Sequence, residues 1–214
     1  MNNFDFLNKY KLFIVDYDGT ILDSMRMWET TLSRFLDSEN IKYDVDIDDL
    51  AKEQTNIESV EYMQKNYFPN LTFDELSNKM YEFVKKEYVK QKLKNNATLL
   101  LSELQKRGRV VLFSATALEL LEDSFKATDV GKYFDYIYSA SDMKTTKTNG
   151  VGYNLVINHE GINKSKVLIL EDVMHAIEGA KYQNIDVLAI YDKQKHWNDI
   201  TNIANYSLNL DNLK

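Results

Sequence analysis

The stretch Phe13-Ile14-Val15-Asp16-Tyr17-Asp18-Gly19-Thr20-Ile21-Leu22-Asp23-Ser24 decides how the chain is read. An apolar run beginning at Leu12 reads as a buried strand, and it ends in two carboxylates. Side chains alternate along a strand, so Asp16 and Asp18 share one face while Tyr17 points the other way. Gly19 turns the chain and leaves both acids at the strand's carboxyl end, where open α/β sheets bind their ligands. Two carboxylates this close repel unless a cation or a shared proton separates them, so the pair predicts a bound divalent metal.

Outward from this stretch the pattern changes twice. Met25, Trp28, Leu32, Phe35 and Leu36 fall at helical spacing, and no strand-like alternation follows them for many residues. Pro69 breaks the chain ahead of Thr72-Phe73-Asp74-Glu75, which has capping-box spacing and precedes Leu76, Met80, Phe83 and Val84 on one face. Residues 25–92 therefore read as a helical insertion. From Asn96 onward helices alternate with short apolar strands. A helix carrying Leu100, Leu101 and Leu104 stops at Gly108, an expected C′ glycine. Strands are predicted over 110–113, 136–138, 167–170, 187–190 and 206–208, with helices over 117–127, 151–160 and 173–184. Such alternation predicts a parallel sheet with right-handed crossovers. The expected fold class is α/β, a Rossmann-like parallel-sheet core (residues 1–24 and 93–214) with an inserted all-helical domain (25–92).

Composition bounds the chemistry. The 214 residues carry 44% hydrophobic and 28% charged side chains, ordinary globular values that suit one core with a smaller insertion. No apolar run approaches the roughly 20 residues of a membrane span, and the amino terminus lacks the layout of a signal peptide, so a cytoplasmic enzyme without a membrane partner is expected. The absence of cysteine excludes disulfides, thiolate catalysis and cysteine-ligated metals. A net charge of -7 argues against nucleic acid as a partner, because no basic stripe exists to release counterions. A monomer acting on a small molecule is expected. Asp44-Val45-Asp46-Ile47-Asp48-Asp49 begins like a calcium loop, but Asp49 stands where glycine is needed and Thr55 where glutamate is, so it reads as a solvated helix start. His159, His175 and His196 lie too far apart for an obvious metal spacing.

Three more strand ends carry polar groups. Ser114 and the Ala115 amide follow strand 110–113 and suit a phosphoryl oxygen, because hydroxyl and backbone donors at a strand-to-helix junction form an anion site. Glu171 and Asp172 close strand 167–170, where two acids are costly without a metal. With Asp16 and Asp18 they make an oxygen-rich cluster suited to Mg²⁺.

Asp16-Tyr17-Asp18-Gly19-Thr20 resembles DxDGT, the first motif of the haloacid dehalogenase-like phosphotransferases and hydrolases. Ser114 resembles the second motif. Phe134-Asp135-Tyr136-Ile137-Tyr138-Ser139 followed by Lys147 resembles the third, and the run from Glu171-Asp172 to Lys181 the fourth. They occur in the family's order and cover residues 11 to about 192. The third departs from the pattern: Thr148 replaces the proline usual after the lysine, and Lys144 is a rival that the spacing from Phe134-Asp135 and to Tyr153 rejects.

The resemblance implies that residues 25–92 form a cap over the core, with hinges near 22–24 and 92–96. It implies Asp16 as nucleophile, forming an aspartyl phosphate, and Asp18 as general acid and then base. It implies Mg²⁺ held by Asp16, the Asp18 carbonyl and Asp172, with Glu171 direct or through water. Ser114, Ala115 and Lys147 would bind phosphate, and Thr20 would hydrogen-bond Asp18 and orient it. Lys52-Glu53-Gln54-Thr55-Asn56 resembles the cap's specificity loop, which makes Gln54 and Asn56 the expected contacts to the leaving group. The expected activity is Mg²⁺-dependent hydrolysis of a sugar, polyol or amino-alcohol phosphate. A phosphomutase of the β-phosphoglucomutase kind shares every core motif but needs a second, basic phosphate site in the cap, which Arg26, Arg34 and scattered lysines do not make obvious. A non-catalytic phosphoacceptor is disfavoured, because such receivers carry their aspartate on a middle strand of a shorter chain.

Overall fold

Leu12–Val15 form β1 and are all fully buried, a pattern that requires cover on both faces of the sheet. In the computed structural model, which describes residues 4–43, 45–51, 56–193 and 196–213, β1 lies inside a six-stranded parallel sheet. The other strands are β2 (Arg109–Ser114), β3 (Tyr136–Ser139), β4 (Val167–Glu171), β5 (Asp186–Ile190) and β6 (Tyr206–Leu208), in the order β3-β2-β1-β4-β5-β6. The chain runs outward from β1 to β3, then returns to the other flank of β1 as β4. That reversal creates a switch point between β1 and β4, and ligands bind outside the carboxyl ends of the strands at such a point. Val15 pairs with Leu170, and the Asp16 N–H donates to the Leu170 carbonyl at 3.0 Å, so Asp16 and Glu171 emerge side by side.

The chain divides into two compact units, Ser24–Gln91 and the combined segments Met1–Asp23 and Lys92–Lys214. The first is all-helical among the described residues: α1 (Met25–Glu29), α2 (Thr31–Ser38), α3 (Ile47–Ala51), α4 (Asn56–Tyr67) and α5 (Phe73–Tyr88). Helical spacing runs unbroken from Met25 to Leu36, yet the helix is interrupted at Thr30. The hydroxyls of Thr30 and Thr31 bond back to the Arg26 and Met27 carbonyls at 2.7 and 2.8 Å, a local competition that bends helices. The capping box of α5 is formed in both directions between Thr72 and Glu75. Leu32, Phe35, Leu36, Ile47, Met63 and Leu76 make this unit's own core, with Phe35 packed 5.5 Å from both Phe68 and Phe83.

In the second unit the crossovers are α6 (Ala97–Gln105), α7 (Leu118–Thr128), α8 (Val151–Glu160), α9 (Met174–Tyr182) and α10 (Trp197–Ile203). Tyr153, Val156 and Ile157 of α8 and Ile177 and Ala180 of α9 pack on Ile14, Val111, Phe113 and Ile169. Gly108 does not take the left-handed conformation expected of a C′ glycine; a Cβ there would lie 2.4 Å from the Lys11 carbonyl oxygen, so close backbone approach explains the residue. The segments expected to act as hinges are paired with each other, Asp23 N–H to Lys92 O and Lys94 N–H to Ile21 O, both at 2.8 Å. Lys94 is further tied to Asp192 and to the Tyr191 carbonyl. Among the described residues no helix is long and apolar enough to cross a membrane.

At the amino-terminal end of β5, Asp186 accepts hydrogen bonds from Tyr10 (2.6 Å) and Lys9 (3.0 Å). Burial raises the Asp186 pKa, but these two donors outweigh it and hold the group below its ordinary value. A depressed carboxylate stabilises the fold above its unfolded-state pKa, and that contribution is lost as pH falls through the folded-state value. Tyr10→Phe is therefore expected to cost about 1–2 kcal/mol at pH 7. In urea titrations the gap from wild type should shrink below about pH 4, where free carboxylates protonate. A gap that widens in acid would contradict this assignment.

Candidate active site

The chain leaves β1 into a tight turn. Gly19 has φ of +78°, a left-handed conformation that side chains disfavour, and its N–H bonds to the Leu22 carbonyl at 2.9 Å. The N–H groups of Ile21 and Leu22 both reach the Tyr17 carbonyl. Tyr17 points away from the acids, sharing a 2.8 Å hydrogen bond with Ser124 and setting its ring edge on Phe125. Asp16 is left 7% exposed and Asp18 half-buried.

Lys147, also 7% exposed, sits between Asp16 and Glu171; its ammonium donates to Asp16 Oδ1 and, at 2.8 Å, to Glu171 Oε1. The rival Lys144 is exposed. The loop that delivers Lys147 is held, where the family pattern has proline, by one hydroxyl and one backbone carbonyl: the Thr148 N–H donates to Thr146 Oγ1 at 3.2 Å, and the Gly150 N–H to the Lys147 carbonyl at 2.9 Å. Helix α9 presses against this loop at Gly179, where a Cβ would lie 2.2 Å from the Lys147 carbonyl oxygen. Glu171 is fully engaged. Its Oε1 also accepts from the Tyr153 hydroxyl at 3.2 Å, and its Oε2 accepts the N–H groups of Asp172 and Val173 at 2.9 and 3.2 Å. Its first task is to anchor Lys147, and any direct contact with a metal would compete with these bonds.

Asp16, Glu171 and Asp172 present carboxylate oxygens that all lie within 4.8 Å of one another, and all three residues are buried. Burial, ahead of the pull of Lys147 and the push of Glu171, raises the Asp16 pKa. Burial and the charges of Glu171 and Asp16 push Asp172 well above the usual carboxylate range. For Lys147, burial disfavours the charged form, but Asp16 and Glu171 overcome it and hold the ammonium charged. One ammonium against three carboxylates leaves two negative charges uncompensated when all are ionised, and the donors are hard oxygens. A divalent cation such as Mg²⁺ fits that set, with Asp16 and Asp172 as its natural carboxylate ligands.

Ser114 is buried at the end of β2, with exposed Ala115 beside it. Two hydroxyls differ from expectation. The Thr20 hydroxyl donates to Asp172 Oδ1 at 3.0 Å and so supports β4's acid, because the turn at Gly19 carries this fully buried threonine back toward β4. Thr116 also donates to Asp18, its Oγ1 reaching Asp18 Oδ2 at 2.8 Å, while its N–H donates to Ser114 Oγ at 3.1 Å. The only sequence signal for Thr116 is its place two residues beyond Ser114. Gln54 lies outside the described residues, and Asn56 opens α4. His175 is exposed.

Among solved structures, a protein assigned as a beta-phosphoglucomutase from Thermotoga maritima matches with a TM-score of 0.79 at 18% identity, covering 94% of this chain and 95% of its own. CbbY from Rhodobacter sphaeroides, in complex with phosphate, matches at 0.70 and 14% identity, covering 93% of each chain. The magnesium-bound hydrolase YfnB from Bacillus subtilis matches at 0.74 and 19% identity, covering 93% of this chain and 94% of its own. At these identities the likeness is one of fold. No curated protein matches the sequence. The family model described as haloacid dehalogenase-like hydrolase matches residues 13–190, from within β1 to the end of β5. Since that span contains every strand-end residue of the cluster, the chain belongs to the haloacid dehalogenase-like hydrolases.

Proposed function

We propose that the protein is a Mg²⁺-dependent phosphatase that hydrolyses a small-metabolite phosphomonoester, a sugar, polyol or amino-alcohol phosphate, through an aspartyl phosphate on Asp16. The observation that carries the reading is the convergence of Asp16, Lys147, Glu171 and Asp172 at the β1/β4 switch point, with Ser114 at the end of neighbouring β2. Asp16 attacks phosphorus, and the bond to the leaving oxygen breaks as Asp18 gives that oxygen a proton. Asp18 then takes a proton from water as the water's oxygen attacks phosphorus, releasing inorganic phosphate and restoring the Asp16 carboxylate. Lys147 favours ionised Asp16 and stabilises charge on the transferring group. Ser114 and the Ala115 amide hold phosphoryl oxygens. A divalent cation, when bound, offsets the repulsion between nucleophile and phosphate. The helical unit serves as the cap that selects the leaving group.

One observation favours a phosphomutase as the second reading. Arg26 and Arg34, two of the chain's four arginines, line a cavity of about 390 Å³ in the helical unit with Met27, Thr30, Ser33 and Gln91, although Arg34 is already paired with Glu87. A panel of phosphomonoesters assayed with Mg²⁺ or EDTA separates the two. Phosphate release that EDTA lowers by at least about 100-fold is the expected result. No release from any ester, with isomerisation of a sugar phosphate in the presence of its bisphosphate, would replace the phosphatase by the mutase.

A further inference from the structure

We infer that Thr116 is a positioning residue that fixes which oxygen of Asp18 handles the proton, an inference that rests on the phosphatase reading. Asp18 stands half-buried on a turn, and a carboxylate there has a broad torsional well of its own. The Thr116 hydroxyl, 2.8 Å from Oδ2, removes that freedom. With Oδ2 accepting from Thr116, the exchangeable proton is carried by Oδ1. The same oxygen then delivers it to the leaving alkoxide in the first half-reaction and recovers one from water in the second. Threonine suits the task because branching at Cβ restricts χ1, so the backbone at the β2–α7 junction dictates where the hydroxyl points. That backbone is itself tied to the phosphate site. The Thr116 N–H donates to Ser114 Oγ at 3.1 Å, which leaves the serine's own O–H free to donate to a phosphoryl oxygen. One residue therefore sets the acid–base carboxylate and the phosphate-holding hydroxyl in register, without touching the reacting atoms.

The inference makes the effect of losing Thr116 depend on the leaving group. An alkoxide needs a proton as it departs, whereas p-nitrophenolate does not, and kcat/KM reports only the steps through transfer to Asp16. Thr116→Val keeps the shape and deletes the donor; Thr116→Ser restores the donor. For the fastest alkyl ester of the panel, Thr116→Val is expected to lower kcat/KM by about tenfold or more, with the loss in kcat and KM little changed. For p-nitrophenyl phosphate the loss should be less than about twofold, and Thr116→Ser should recover the alkyl ester to within about threefold of wild type. An equal loss on both esters, or failure of serine to rescue, overturns the inference by reducing Thr116 to a structural residue. If wild type releases phosphate from neither ester, the phosphatase reading itself has failed. Should Thr116→Val not fold, Thr116→Ala replaces it, with the same two-ester comparison deciding.

Discussion

Asp16→Asn is expected to lower Mg²⁺-dependent phosphate release by about 10³-fold or more while leaving the protein folded. The amide matches the carboxylate in shape but is no nucleophile, so the covalent half-reaction stops at its first step. Folding should survive because the substitution removes one of three buried carboxylates that repel each other. Lys147 loses one partner but keeps Glu171 at 2.8 Å. Two readouts check the expectation. Acid quench after mixing with ³²P-labelled ester should trap label on wild type and none on the variant, and thermal unfolding in EDTA should show the variant at least as stable as wild type. Activity within tenfold of wild type would remove Asp16 from the role of nucleophile.

The parts of this site legible in the sequence were those set by local rules. The burial of β1, the sharp turn at Gly19 and the pointing of Tyr17 away from the acids follow from strand periodicity and turn chemistry within a dozen residues. The α8 boundaries and the Thr72–Glu75 box were local in the same sense. What stayed hidden depends on which strands become neighbours. Thr20 meets Asp172 across 152 positions and Thr116 meets Asp18 across 98, pairings fixed by the order β2-β1-β4 and by nothing near either threonine. Gly108 looked like a helix stop because it follows a leucine-rich helix; its reason is the backbone of Lys11, 97 positions earlier. Helix α10 went unseen because its seven residues bury Ile200 alone and so carry no period. Arg26 and Arg34 gave no sign of a shared cavity, since the break at Thr30 lies between them.

Lys147→Met is expected to destabilise the protein by about 3–5 kcal/mol in EDTA, the usual cost of removing one partner from a buried ionic group. Methionine preserves the length of the apolar stem and removes only the charged head, which lies 5.5 Å from the Phe113 ring centroid, so the loss is chiefly electrostatic. Asp16, Glu171 and Asp172 would then face one another with no ammonium between them. Mg²⁺ changes the balance. The Lys147 ammonium and a cation compete for the same carboxylates, so removing the lysine raises affinity for the cation, and an ion that binds only the folded state stabilises by RT ln(1 + [L]/Kd). The stability gap between variant and wild type should therefore narrow as Mg²⁺ is added, with tighter Mg²⁺ binding by the variant in calorimetry. Activity should not follow stability. With Mg²⁺ saturating in wild type and variant alike, phosphate release is still expected to fall by about 100-fold or more, because only the variant lacks the ammonium placed against the transferring group. A variant as stable as wild type in EDTA would show that the cluster is held together by something other than Lys147. A gap that ignores Mg²⁺ would show that the cation does not share these carboxylates, and the metal site would have to be sought elsewhere.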